Sequence, residues 1–585
     1  MRWVLLALLV GIGAAHAQAP QVVAPPCYQG AACTIVGGNV TAQVPTNGAL
    51  KALPTGAYSV VYRAGFTTAG DGGAMVYVWS GTACSLNSGA GDNGSQVAPT
   101  TGTGCWIAAL SDQADPRVWG AVGDGSTSDS AAFTSAATAL SAHGGGTIRV
   151  HPTGHAYYLG SGITLPTLVS MEGDGMANWP GLDGSVAQWT AAGSWIQCAD
   201  TVNVCVTVNG VGSLIRGVNF INAQATPPTT GAWTPTIYPY VIAINGSANF
   251  SGVENVSITA ATHCIDIEGP SSGVAGIWTH LEHVWFNGCF VRGTKFHLID
   301  NTVSMHDLRY DNWWYSDHTP VVTYMEANKV DWDLQYLANA QASDIEFLQS
   351  YRAIQLTDAT VNSGFGNVTF AANDLQLANV SFNEVCQAIV PTASTTHGSG
   401  ALSNVIAYGD STTNCYGTPT YMFDFSSNSA NWDISNLDAG YVQSLMNVGA
   451  SSTIKLNNAD VQAYSEVSAG AVAFNIQAGG ELLLSGTPSN AIRPAAGAGQ
   501  LYSGIPTPEW QANILAGSTF GAVLADGEFG LRRNVASGTA PGGGFIKFGA
   551  VCGTNAGTAK IVVYGGTSTT PVTLLDNIGS GVTGC

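Results

Sequence analysis

Residues 115–133 read DPRVWGAVGDGSTSDSAAF, a glycine- and aspartate-rich turn that runs directly into an alanine-rich stretch. Phe133, Ala136, Ala137 and Leu140 fall at i, i+3, i+4 and i+7, one face of a short helix. Ser128, Asp129 and Ser130 are residue types that cap first-turn amides, and Gly144-Gly145-Gly146 supplies a stop. The next residues, TIRVHPTGHAYYL, return at once to the alternation of a strand. A single helix therefore stands between two β regions, and what lies on either side decides the fold.

The chain of 585 residues is only 9% charged and holds 73 glycines, a composition of many short strands joined by turns rather than of helical bundles. From about residue 214 a four-residue pattern recurs: a small or polar residue, an aliphatic one, any residue, then an aromatic or aliphatic one. It appears as GVNF (217–220), NVSI (255–258), HVWF (283–286), DLRY (307–310), DLQY (333–336), NVTF (367–370), NVSF (379–382) and NVIA (404–407). The aliphatic positions Val256, Val284, Leu308 and Leu334 are 28, 24 and 26 residues apart, and Val380 and Val405 are 25 apart. Units of this length cannot bury a core alone and must stack, which points to a parallel β-helix. A β-sandwich, whose turns recur every ~8–12 residues, fits less well.

The organisation read from the sequence is a leader at 1–17, a Pro- and Ala-rich linker at 18–45 and a small N-terminal β domain at 46–111. The β-helix follows at 115–490 and a C-terminal β module of antiparallel character at 491–585. The leader has one Arg, an apolar run and Ala15-His16-Ala17 as a cleavage site, which implies a secreted or periplasmic protein. No other apolar run is long enough for a membrane span. Twelve cysteines fit an oxidising compartment. They fall as near neighbours: Cys27 and Cys33, Cys84 and Cys105, Cys198 and Cys205, Cys264 and Cys289, Cys386 and Cys415, Cys552 and Cys585. Local disulfides are expected, and no metal or other cofactor. A net charge of −20 excludes nucleic acid as a partner and disfavours densely anionic polymers.

The segment 115–133 with GGGTIRVHPTGHAYYL resembles the entrance of the pectate-lyase-like β-helix superfamily, in its rhamnogalacturonase/epimerase-like branch, also found in bacteriophage tailspikes. The residues that carry the resemblance are Gly120, Ala121, Gly123, Asp124, Gly125, Thr127, Asp129, Gly145, Gly146, Pro152, Gly154 and Tyr157; Ser128 replaces the usual first acid of a pair. Residues 49–110 resemble the small domain that precedes tailspike-like helices. The resemblance implies an all-β protein built on a right-handed parallel β-helix (solenoid), with the short helix capping its open end. Asp124 and Asp129 are then turn and cap residues. Phage relatives are trimers, so a homotrimer is implied, and Trp313-Trp314 reads equally as a subunit contact or a sugar platform.

Residues 254–352 hold 13 of the 37 acidic residues and 6 of the 11 histidines, so chemistry is expected there. If Val256, Val284, Leu308 and Leu334 stack inward, then Asn255, His283, Asp307 and Asp333 form one outward row, and Ser257, Trp285, Arg309 and Gln335 the next. Asp307 and Asp333 would be adjacent carboxylates, one with a raised pKa, suited to acid–base cleavage of a glycosidic bond. Glu282, Asp311 and Asp331 are reserve acids. Arg309 and Lys329 would orient or neutralise an acidic substituent, Trp285 and Trp313 would stack on sugar rings, and His283 would line the site. The expected function is an exported polysaccharide-cleaving protein, by hydrolysis rather than elimination. The alternatives are a β-eliminating lyase and a non-catalytic glycan-binding β-helix. Polygalacturonase motifs are not found in order, and WYSDH (314–318) lacks the partners of a pectate lyase site.

Overall fold

The computed structural model describes residues 40–175, 185–246, 248–269, 278–300, 303–363, 366–392, 397–409, 421–426, 430–442, 444–464, 474–477 and 480–485. It also describes strand residues 33–34, 492–494, 502–503, 547–552, 559–564 and 572–578. The leader, most of the linker, and Cys27, Cys415 and Cys585 lie outside these residues.

The chain forms two compact units, Met1–Ala109 and Leu110–Cys585. In the first, six strands make one sheet in which Val40–Val44 and Val60–Arg63 run parallel and the other neighbours antiparallel. Its buried cation, Arg63, donates to Gly73 O and to Asn47 Oδ1 and lies 5.1 Å from the Tyr77 ring centroid. Cys84–Cys105 is a disulfide.

The second unit is the expected parallel β-helix: apart from the hairpin Ala359–Phe370, its strands from Gln113 to Ser503 belong to one continuous sheet in which successive turns pair in parallel. One stack runs through Gly252–Thr259, Thr279–Asn287, Val303–Tyr310, Gln341–Leu348, Ala372–Val385, Gly398–Gly409, Ala430–Gly440 and Thr453–Tyr464. A second runs through His263–Glu268, Arg292–Asp300, Val330–Ala338, Arg352–Leu356 and Gln387–Pro391. Both turn buried columns inward. Val256, Val284, Leu308, Ile345, Val380 and Val405 are one column. Phe286, Tyr310, Phe347 and Phe382 are another, stacked at centroid distances of 4.1, 5.3 and 5.3 Å.

The four-residue pattern has a backbone cause. Each first-stack strand has a corner residue held in the left-handed region: Asn255, His283, Asp307, Asp344, Asn379, Asn404, Asn436 and Asn458, with φ between 49° and 59°. Asn and Asp tolerate that conformation best among residues with a Cβ. The side chains also join turn to turn, Asn404 Nδ2 donating to Asn379 Oδ1 at 2.9 Å and Asn436 Nδ2 to Asn404 Oδ1 at 2.9 Å.

Two members of the pattern are misplaced. Leu308 pairs with Ile345, not Leu334, and DLQY (333–336) belongs to the second stack, beside Lys295–Leu298. The turn after Tyr310 is lengthened by an insertion carrying the helix Thr319–Asn328, which displaces the next corner to Asp344. NVTF (367–370) lies on an antiparallel hairpin, Ala359–Ser363 with Gly366–Phe370, outside both stacks.

The helix Ser130–Ala142 buries Phe133, Ala136, Ala137 and Leu140 as expected. Asp129, however, makes no side-chain cap. Its carboxylate accepts the amides of Val122, Gly123 and Tyr158 and so ties the entrance turn to the first coil. Asp124 accepts from Ser126 and Thr127 within the turn, which holds its carboxyl below the usual range. Cys198–Cys205 and Cys264–Cys289 are disulfides, and Cys386 is also disulfide-bonded. Three C-terminal strands, Lys547–Cys552, Ala559–Tyr564 and Val572–Ile578, form an antiparallel sheet.

Candidate functional site

The corner sets which side chains meet. Two residues after it, the outward row reads Ser257, Trp285, Arg309, Glu346 and Ser381. Arg309 lies between two carboxylates: its Nε is 3.5 Å from Asp307 Oδ1 and its Nη1 is 3.8 Å from Glu346 Oε2. Asp307 and Glu346 are about one-third exposed, their side chains 33% and 35% accessible, and Arg309 is exposed. His283, the corner residue one turn away, reaches Asp307 Oδ2 at 3.7 Å and Glu282 at 3.5 Å. Its ring meets that of His306 edge-on at 5.6 Å, and His306 Nδ1 is 3.2 Å from Asp344 Oδ2.

Behind this surface sits Asp311. The indole N–H groups of Trp285 and Trp313 both donate to its Oδ2 at 3.1 Å, while its Oδ1 is buried and has no hydrogen-bond partner among the described residues. One buried carboxylate thus fixes the tilt of two tryptophans, of which Trp313 is 38% exposed. Burial pushes the Asp311 carboxyl up, against the Trp313 N–H and the Lys329 charge. Burial also raises Glu346, with the Asp311 charge raising it further and Arg309 opposing. A carboxyl that is raised and still accessible is the better suited of a pair to hold and donate a proton.

Deeper still, Lys329 and Asp331 are both fully buried. Their ion pair spans 3.1 Å, Lys329 Nζ also donates to the carbonyls of Tyr310 and Leu348, and the Ser350 hydroxyl donates to Asp331. Burial pushes Asp331 up to about 6 against the pull of Lys329. Lys329 is consumed in closing the long insertion onto the coil, so it does not reach an acidic substituent, and Asp331 is not an exposed acid. This corrects both expectations.

Asp333 is not beside Asp307. It lies in the second stack, in register with Lys295 and Gln355, is buried, and accepts from Arg292 Nε (3.2 Å), Gln335 Nε2 (3.0 Å) and Gln355 Nε2 (3.3 Å). The expected carboxylate pair therefore does not form, because the insertion breaks the period on which it was read. Trp314 is also not surface: it packs with Phe290, Trp233 and Tyr315 over the insertion helix, leaving Trp313 alone outside. The structure brings together Glu282, His283, Trp285, Asp307, Arg309, Asp311 and Trp313, and adds Glu346, which the sequence reading missed. Its signal was present: DIEF (344–347) has the form of the pattern, but stands 37 residues after DLRY.

No group of three or more His, Cys, Asp or Glu side chains suited to a metal occurs among the described residues. No helix among them is long and apolar enough to cross a membrane.

No family model matches the chain, and no curated protein matches it. Among solved structures it is similar to the tailspike protein gp49 of Acinetobacter baumannii bacteriophage Fri1, a capsular polysaccharide depolymerase, at 12% identity over 92% of each chain, with a TM-score of 0.46. It is similar to the gp42 tailspike of Acinetobacter phage vb_AbaP_AS12 at 9% identity, over 93% of this chain and 96% of that one, with a TM-score of 0.48. Full-length tailspike protein 2 of Escherichia coli O157:H7 bacteriophage CAB120 is similar at 11% identity over 81% of this chain, with a TM-score of 0.39. The chain spans 51% of that protein's length.

Proposed function

We propose that the chain is an exported protein that cleaves glycosidic bonds of a polysaccharide, by hydrolysis, at the surface formed by Asp307, Arg309 and Glu346. The observation that carries this reading is a pair of accessible carboxylates bridged by one guanidinium, with the Glu346 carboxyl raised by burial and two indoles held nearby in the same surface by Asp311. In it Glu346 is the general acid and protonates the departing glycosidic oxygen. Asp307, held by Arg309 and His283, is the second carboxylate, either activating water or attacking the sugar carbon. Glycosidases divide those two roles between two such groups. Trp313 and the edge of Trp285 offer a flat apolar surface to a sugar face. Glu282 is a reserve for the second carboxylate.

Hydrolysis is favoured over elimination because Arg309, the accessible cation of this surface, is already shared by two carboxylates. An eliminating enzyme needs a cation free to neutralise a uronate. The reading is tested by incubating the full chain with a panel of neutral and uronate-containing polysaccharides. New reducing ends without ultraviolet-absorbing unsaturated product are expected. Unsaturated product would replace hydrolysis by elimination, and binding without new ends would leave a glycan-binding protein.

A further inference from the structure

The face preceding the corner carries an open groove of about 740 Å³ that crosses six successive strands. One row of its lining runs from Ser304 to Asp433 and the other from His306 to Asn457, each step a register pair of adjacent turns. The trough exists because Ala378, Ser403 and Ser435 are small while the corner residues beside them, Asn379, Asn404 and Asn436, project as a continuous amide ladder. Adjacent strands are ~4.8 Å apart, so the groove offers hydroxyl and amide groups at that interval over roughly 24 Å.

This regularity narrows the occupant. The lining has only two ionisable side chains, His306 and Asp433. In a chain of net charge −20 that lining carries no Lys or Arg to favour a polyanion. Strand backbone in the stack is paired from turn to turn, so an extended peptide finds no open edge to join. A linear chain of uncharged sugar rings, each about as long as one strand spacing, meets the repeated hydroxyls and amides and the small apolar residues between them. At its His306 end the groove touches Asp344 and the ring of His283, and through His283 it reaches Asp307.

We propose that this groove is a subsite track for an uncharged, unbranched stretch of polysaccharide, one end of which is delivered to Asp307 and Glu346. The proposal rests on the glycan-cleaving reading above for its direction but not for its occupant. The test uses the full chain carrying Glu346→Gln, so that binding is read without turnover, on an array of neutral and uronate-containing bacterial polysaccharides. Capture by a neutral polymer is expected. Ser403→Trp and Ser435→Trp, each checked for unchanged melting, fill the trough and should weaken that capture by at least about tenfold. Restored to Glu346, the same two variants should lose cleavage of the polymer while still cleaving short oligosaccharides that span only the acid pair. Unchanged capture in both folded variants, capture by uronate polymers alone, or no capture at all overturns the track. So does a switch to monomer on sedimentation, which would assign the groove to a second copy of the chain. Groove-dependent capture by a chain that cleaves nothing would uphold the track and defeat the cleavage reading.

Discussion

Asp311 holds two indoles with one oxygen and reaches no solvent with the other, which makes it a positioning residue rather than a proton donor. Its charge raises Glu346, so Asp311→Asn should lower the Glu346 pKa and move the alkaline limb of the pH–rate profile to lower pH. The sign follows from the acid role proposed for Glu346: an acid of this kind works protonated, so activity falls as pH rises through its pKa. Arg309→Ala removes an opposing charge and should move the same limb upward, by less at high salt because Arg309 is exposed. Opposite shifts in the two variants are the expected result; equal profiles would detach Glu346 from proton transfer. At this scale the sequence was legible where it was periodic. Asp307, Arg309 and Trp285 follow from the spacing of Val256, Val284 and Leu308, which the observed register upholds. Glu346 was hidden and Asp333 wrongly paired by one cause, the insertion between Tyr310 and Val330. Lys329 was misread because composition shows that a cation is present, not that a buried carboxylate has already claimed it.

The corner is the element on which both surfaces depend, since it turns one outward row toward the groove and the next toward the acids. Its residues read in sequence as a small or polar first position, and only the φ values explain why. Asn404→Gly keeps the left-handed conformation and loses the amide ladder, whereas Asn404→Val forces a β-branched residue into it, at a cost of roughly 1–3 kcal/mol. Melting temperatures should fall in the order wild type, Gly, Val; a Val variant as stable as the Gly variant would remove the corner's conformational role. The helix Ser130–Ala142 is a second element legible from spacing, its capping role coming from the resemblance. Phe133 is fully buried and meets the Tyr157 ring edge-on at 5.3 Å. Phe133→Asp would force a charge into that contact. It should lower the unfolding temperature by several degrees in thermal melts, and unchanged melting would contradict the capping role.

Stacking makes the whole coil a one-dimensional object, in which a site is assembled from residues one turn apart in space and about 25–40 residues apart in sequence. The fold was therefore legible from repetition, while the site required the true length of each turn. Cys264–Cys289 closes a loop across a sequence separation of 25, and a loop of that size contributes on the order of 2–4 kcal/mol. Reduction should lower the unfolding temperature and turnover together. Cleavage in the proposed site turns on Glu346 donating the proton. Its most direct test is turnover of a cleaved polysaccharide by wild type and by Glu346→Gln, both shown by circular dichroism and melting to be folded. The expected result is a loss of at least about 10²-fold in the variant, with binding retained. A folded Glu346→Gln protein that cleaves at the wild-type rate would contradict it.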